Sequence, residues 1–281
     1  MKKYITAIQG SAIALVSFTL LAFILPSHET TGEVELVLTV STFLFAILAG
    51  FLISRLSDRY NTMRNLVGQE DAHWLSLYRM GKLYGKKFSN ELADRIDDYY
   101  TTIFDYELGE YYKQSREQLE NVYALFYKTK LNERQYNKDV FDDMLGTLSN
   151  IEGTRNLSSV LAVEKLNTSQ WITISSLGAI ILFCLFYLNG NQLFSPFLTS
   201  SLSTILVLVI LTMRDLQNFR FTGGILVEES GQEVLEYIGK KRYYGEIYLA
   251  DSAIPTAVKE YRIGIIDKKT GKKKIKLVKN R

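Results

Sequence analysis

A single cysteine, Cys184, two histidines, His28 and His73, and three prolines in 281 residues exclude several chemistries at once. One cysteine cannot close an intramolecular disulfide, and Cys184 lies in an apolar run that offers no thiolate-based metal site. With only two histidines, there is no evident constellation of nucleophile, base and electrophile for an enzyme. Gly-rich phosphate loops, HExxH helices and paired cysteines are all missing. We therefore expect no enzymatic activity, no metal and no cofactor. The scarcity of proline beside abundant aliphatic residues favours helices over barrel strands.

The most informative absence is of positive charge. No Lys or Arg occurs between Tyr4 and Ser54, nor from Leu166 to Met213, so all 33 basic residues lie elsewhere. An uncharged run of this kind can cross roughly 30 Å of hydrocarbon as a helix. Four spans are expected: Ile5 to Leu25, Leu36 to Ser54, Trp171 to Leu188 and Leu193 to Met213. The links PSHETTGE and NGNQ are short and carry no Lys or Arg, so the spans form two helical hairpins. Lys2, Lys3 and the segments from Arg55 and from Arg214 hold the basic residues, which places both termini in the cytoplasm of a cell bounded by its inner membrane. The first span is expected to be retained, because no small-x-small cleavage site follows it. Trp171 and Tyr187, near opposite ends of span three, suit interfacial anchors. No Asp, Glu, Lys or Arg lies within a span, which disfavours proton-coupled transport; Glu33 and Glu35 stand at the entrance of span two.

The fold class expected is an all-α membrane protein with four transmembrane helices in two hairpins, a cytoplasmic helical bundle and a small C-terminal β-hairpin. Its parts would be a first hairpin over residues 1–54, a helical domain over 55–169, a second hairpin over 170–213 and a C-terminal segment over 214–281. The insertion from 55 to 169 carries 16 basic and 18 acidic residues, a balance that argues against nucleic acid as a partner. Met63, Leu66, Val67, Trp74, Leu75, Tyr78 and Leu83 recur at near-helical spacing without a proline, so span two should continue as one long helix. A second helix is placed after Ser89 as N-cap, with Leu92, Ile96 and Ile103 on one stripe. A third uses Leu119, Val122, Tyr123 and Phe126. A fourth uses Val140, Met144, Leu148 and Ile151 and continues through Leu157 and Leu161 toward span three. Adjacent carboxylates such as Asp97 and Asp98, or Asp142 and Asp143, point about 100° apart on a helix and read as solvated faces.

Beyond Met213, Ser230 and Glu233 stand at capping-box spacing for a short helix. YRIGIIDKKTGKKKIKLV alternates around a Gly-bearing turn and reads as a β-hairpin. From Arg214 onward 15 basic residues face 9 acidic ones. Its lysines suit either anionic lipid head groups or a solvated strand edge, and alternation with Ile and Val favours the edge.

Span two has two unlike faces. Thr42, Ala46, Ala49 and Gly50 are small enough for a neighbouring helix to approach closely. Phe43, Ile47 and Phe51 recur every four residues and stack as one apolar stripe over about 12 Å. Such a stripe either meets lipid and the other spans or, with several copies around an axis, forms a constriction that gates by dewetting.

This segment resembles the bestrophin family of oligomeric ion channels and the related bacterial bestrophin-like proteins. In bestrophins a Gly-Phe pair in the second span precedes, at a fixed interval, a motif like Asp-Arg-Trp-Trp-Glu-Ala-Arg-Lys-Leu-Trp-Gly. Here Gly50 and Phe51 precede DRYNTMRNLVG at that interval; Asp58, Arg59, Arg64, Leu66 and Gly68 match, and Tyr60 replaces an aromatic. Asn61 and Thr62 stand in place of Trp and Glu, and MRDLQNFRFTGG supplies Asp215, Phe221 and Gly223 of a second motif without its proline. No equivalent of the acidic calcium clasp of animal bestrophins is present. The resemblance implies a homo-oligomer, with five copies of the chain, permeant ions and membrane lipids as partners. It puts an apolar pore neck at Phe43, Ile47 and Phe51, with Ala46 and Gly50 packing near the pore. Asp58, Arg59, Tyr60 and Arg64 fall at the pore's cytoplasmic base. The alternative is a non-conducting membrane-anchored scaffold whose bundle binds a partner through DDYYTTIFDYELGEYY.

Overall fold

The structure is a computed structural model that describes residues 4–25, 32–106, 108, 110–129, 135–190, 194–220, 228–246, 258–266 and 273–279. His28, the link ahead of span two, Phe221, Gly223 and the turn expected between the two C-terminal strands lie outside the described residues. The chain divides into two compact units, Met1–Tyr60 with Lys165–Gly223 and Asn61–Glu164 with Gly224–Arg281.

The first unit is built from α1 (Ala7–Ile24), the first half of α2 (Gly32–Tyr84), α7 (Thr168–Tyr187) and α8 (Phe194–Gln217), each long and apolar enough to cross a membrane. Thr6 and Gln9 form a reciprocal capping box that starts α1. α8 is the centre of this unit, packing most extensively against α1 and then against α7. Small residues make the approach possible: a Cβ at Gly10 would lie 2.6 Å from the Leu211 Cδ1 atom. Away from Lys and Arg, hydroxyls fill the seams, with Ser11, Ser41, Thr199, Ser200 and Ser203 all buried. Asn189, also buried, donates from Nδ2 to the Ala22 carbonyl at 2.7 Å and so ties the end of α1 to the chain that follows α7.

The second unit holds the remainder of α2, α3 (Lys86–Ile103), α4 (Tyr111–Gln114), α5 (Arg116–Lys128), α6 (Gln135–Val163), α9 (Glu228–Tyr237), β1 (Tyr243–Gly245), β2 (Glu260–Ile266) and β3 (Lys273–Lys279). Its core gathers Trp74, Leu77, Phe88, Leu92, Ile96, Tyr99, Tyr100, Leu119, Val122, Phe126, Met144, Leu148 and Ile151. α3 shows why: Phe88, Leu92, Ile96, Tyr99 and Tyr100 recur at helical spacing on one buried face.

Span two does continue unbroken to Tyr84. Other expectations for this unit need correction. α3 begins at Lys86, three residues before Ser89, because Gly85 adopts φ 153°, ψ 155° and lets the chain turn sharply out of α2. Ser89 then lies inside the helix, its hydroxyl donating to the Lys86 carbonyl. Ser230 likewise lies within α9, which starts at Glu228. The inner stripe of α6 runs Met144, Leu148, Ile151, Arg155, Ser158 and Ala162, leaving Leu157 exposed, and the helix ends at Val163. Helical phase outweighs residue type here, since Arg155 is buried and donates to the Tyr112 carbonyl and the Ser115 hydroxyl at 2.7 and 2.8 Å.

The C-terminal hairpin forms as β2 and β3, antiparallel from Glu260 opposite Lys279 to Ile266 opposite Lys273. Short β1 adds to β2 in parallel, giving a sheet in the order β1-β2-β3. Three residues carry no alternation long enough to read, and burial of all three makes β1 a product of tertiary packing. Asp97 is not a solvated face: its carboxylate takes both ends of the Arg262 guanidinium, at 2.5 and 2.7 Å, and fastens α3 to the sheet.

Candidate functional site

Within the first unit the inner face of α2 is Ser41, Phe45, Ala49, Leu52 and Leu56, spaced by three and four and buried against the other helices. Phe43, Ile47 and Phe51 fall on the opposite side. Their exposures of 65%, 45% and 71% set this stripe apart from the buried inner face of α2. Ala46 and Gly50 share that open side, and a Cβ at Gly50 would meet nothing within 4 Å. Ala49, by contrast, is turned inward. The chain therefore presents a narrow surface of two phenylalanines and an isoleucine beside two residues small enough for another helix to come close.

The base of this unit is a polar clasp. Arg59 is buried, donates from Nη1 to the Gln217 carbonyl at 2.9 Å and sets its guanidinium 4.0 Å from the centre of the Phe219 ring. Gln217 Oε1 accepts from the Leu166 amide at 3.0 Å and from the Trp171 indole at 3.1 Å. Trp171 thus serves as a structural donor at the helix-bundle base. Phe219 has φ 55°, and the Arg220 amide donates to the Asp215 carbonyl at 2.8 Å, the left-handed stop usually given to glycine. A phenylalanine in that conformation costs about 1 kcal/mol or slightly more, and the stacked Arg59 cation returns an amount of similar size, roughly 0.5–1 kcal/mol. Tyr60 is buried beside it, and Asp58 is exposed. Arg64 belongs to the second unit and is exposed there. Of the motif quartet, Arg59 and Tyr60 enter the clasp and its immediate surroundings.

A second fastening joins the N-terminal segment to α8. Asp215, buried, accepts from the Tyr4 hydroxyl and from the Ala7 amide, both at 2.6 Å, and so caps the first turn of α1. Arg214 donates to Asp215 and to the Ile5 carbonyl, and the Tyr4 ring lies under Arg214 and Arg220 at 4.9 and 4.3 Å. Tyr4, Gln217 and Phe219 were not singled out by sequence reasoning. Tyr4 borders an uncharged run, and Gln217 follows one by four residues. Among the described residues, no group of three or more His, Cys, Asp or Glu side chains is placed to hold a metal ion.

In the second unit, adjacent carboxylates of α2 meet adjacent tyrosines of α3. Tyr99 donates to Glu70, and Tyr100 donates to Asp71 at 2.5 Å. All four residues are buried. Asp71 lies seventeen residues past Ser54, well beyond the apolar stretch. Burial pushes its carboxyl up to about 7, the Glu70 and Glu233 charges adding to the rise while the Ser230 and Tyr100 hydroxyls pull the other way. These tyrosines belong to DDYYTTIFDYELGEYY, the segment expected to offer a binding surface. Its first half is instead consumed by the unit's own core, with Tyr99 and Tyr100 buried and Asp97 clamped to Arg262.

The comparisons with known proteins agree on the architecture. A family model, the bestrophin-like domain, matches residues 6–231. A crystal structure described only as that of a membrane protein variant has a TM-score of 0.60 at 14% identity, covering 82% of this chain and 98% of its own. Two variants of a bacterial bestrophin homolog from Klebsiella pneumoniae give TM-scores of 0.57 and 0.58 at 15% and 14% identity, over 81% and 83% of this chain and 98% of theirs. At that identity the likeness speaks for the fold. No curated protein matches the chain.

Proposed function

Because the chain belongs to the bestrophin-like family, we propose that it is a homo-oligomeric ion channel of the cytoplasmic membrane, five copies of which surround a shared axis. In this reading α2 lines the conduit, and Phe43, Ile47 and Phe51 form its neck. The observation that carries the reading is their exposure on the side of α2 opposite its buried face, the stripe that four-residue spacing predicts. Side chains of this kind cannot replace an ion's hydration shell, so a ring of them controls whether the passage is wet and leaves ion sign to other groups. Ala46 and Gly50 would admit the neighbouring subunit's α2. The clasp of Arg59 with Gln217 and Phe219 would hold the base of the pore wall rigid, and the charge asymmetry puts both termini in the cytoplasm.

The anchored-scaffold reading has less behind it, since two of the tyrosines it would employ, Tyr99 and Tyr100, are turned into the core. The test combines mass and flux. The detergent-solubilised complex should weigh about five chains and should leak ions in liposomes. Phe51→Ala should raise the flux several-fold by widening the neck, while Phe23→Ala, an equally exposed position on α1, should leave it unchanged. A conducting wild type whose flux ignores Phe51→Ala removes the neck from this stripe. A monomer or dimer without leakage returns the chain to the scaffold reading.

A further inference from the structure

The second unit contains a concave site unrelated to the α2 stripe. It opens between the first turns of α3 and the last turn of α5 and encloses about 590 Å³, within the range of small-ligand pockets. Lys86 and Lys87 come from the start of α3, Arg95 from two turns later, and Lys128 from the end of α5. Among the described residues of the wall Glu91 is the one carboxylate, set against four cations. Among the described residues none of these five charged side chains is engaged in an ion pair or a side-chain hydrogen bond, although Arg95 faces Asp98 one turn on. Some other basic groups of this unit are spent on ion pairs: Lys240, Lys241, Arg242, Arg262, Lys273 and Lys279 are each paired with carboxylates. What sets these four apart is their convergence: among the described residues they line one cavity without an ion pair.

The remaining wall supports the same reading. Gly85 precedes α3 without a side-chain cap, so no capping side chain satisfies the amides of the first turn. Tyr84, half-buried, adds an aromatic wall held edge-on by Phe88 at 5.1 Å, and Asn121 and Thr129 supply neutral polar groups. Phosphate groups would answer the cations and a flat apolar portion would answer Tyr84. We infer that the cavity between α3 and α5 binds a small phosphorylated organic anion of mononucleotide size through Lys86, Lys87, Arg95 and Lys128, with Tyr84 against its planar part.

This assignment does not depend on conduction, so its test reads binding. The full-length protein in detergent is titrated calorimetrically with ATP, with inorganic pyrophosphate and with adenosine. ATP should bind saturably and more tightly than either fragment. Lys86→Glu and Lys128→Glu should each weaken ATP by about tenfold or more, the loss expected when an attractive charge becomes a repulsive one at a partly screened site. Lys138→Glu, at an exposed lysine of α6 that is not among the lining residues, should change affinity less than twofold by the same screening argument. In the unmodified protein, bound ATP should also shield Lys86, Lys87 and Lys128 from an amine-acylating reagent, read by mass spectrometry. Absence of saturable ATP binding overturns the assignment. An equal loss with Lys138→Glu reduces the effect to general charge and overturns it too. Pyrophosphate binding as tightly as ATP removes Tyr84 and the nucleotide class from the site.

Discussion

The two units differ in where they place their largest aromatic side chains. In the first, small or hydroxylated groups such as Gly10, Ser11, Ser200 and Ser203 share the interior with Phe45, Leu52 and Ile174, while Phe23, Phe43, Phe51, Phe183 and Phe197 are exposed. In the second, Trp74, Tyr99, Tyr100 and Phe126 are buried together and the helix surfaces are charged. The difference follows from the solvent each unit meets. Water drives large apolar side chains inward, whereas hydrocarbon gives them no reason to leave it, so helices associate there through close backbone approach and interhelical hydrogen bonds. Truncating large side chains should therefore injure the second unit and spare the first. Trp74 packs against Tyr99 at a tilt, with centroids 4.8 Å apart, and has no exposed surface. Trp74→Ala should cost about 3–5 kcal/mol, read as a lowered thermal midpoint of the detergent-solubilised protein. Phe23→Ala should shift that midpoint little. Equal losses at both positions would erase the contrast.

Polar groups sharpen the same comparison. The second unit buries a carboxyl at Asp71 whose ionised form is disfavoured. Its folded pKa of about 7 lies above the ordinary 3.8. Between these values the folded state keeps the proton and the unfolded state releases it, so stability falls as pH rises from about 4 to 7 and stays at its lower level above 7. The loss is on the order of 2–4 kcal/mol. Asp71→Asn keeps an acceptor for Tyr100, cannot ionise, and should flatten that part of the profile while raising stability at pH 8. A variant that retains the full wild-type slope would assign the titration elsewhere.

Close approach is the first unit's counterpart to a packed core. At Gly10 a methyl group would already intrude on Leu211, so Gly10→Val should overpack the contact of α1 with α8 and cost about 1–3 kcal/mol. The same exchange at Gly50, which has open space around it in the isolated chain, should be silent for the monomer and harmful only if another α2 packs there. Assembly measured for Gly50→Val thus separates a subunit contact from a lipid-facing surface.

How far the sequence reveals this division depends on which force sets each element. The four spans were legible because burial in hydrocarbon imposes a long, unbroken pattern on composition, and the Phe43, Ile47 and Phe51 stripe because helical spacing is exact. α3 and α5 were readable from their apolar periodicity. What stayed hidden was decided by contacts distant in the chain. β1 is three residues held by β2 and by the Gln232 side chain, which bonds the Tyr243 amide and carbonyl. Arg155 occupies a core stripe because Tyr112 and Ser115 supply its acceptors, which no local pattern announces. The start of α3 was misplaced because a serine three residues into the helix is a more familiar signal than a glycine with an unusual backbone. The Arg59 clasp was half legible: its motif was visible, but Gln217 and Phe219, its partners, carry no motif of their own.

Phe219 offers the finest distinction, because its two roles act against each other. Its ring receives the Arg59 guanidinium, which stabilises the clasp, yet its backbone occupies the left-handed region, which disfavours every residue except glycine. Phe219→Ala removes the ring and keeps the strain, so it should lower stability by about 1 kcal/mol. Phe219→Gly removes both and should fall within about 0.5 kcal/mol of wild type, since relief of the backbone offsets the lost stacking. Comparing the two variants by thermal denaturation isolates the strain. If glycine proves as damaging as alanine, the helix end is held by the ring alone and the left-handed turn carries no measurable penalty.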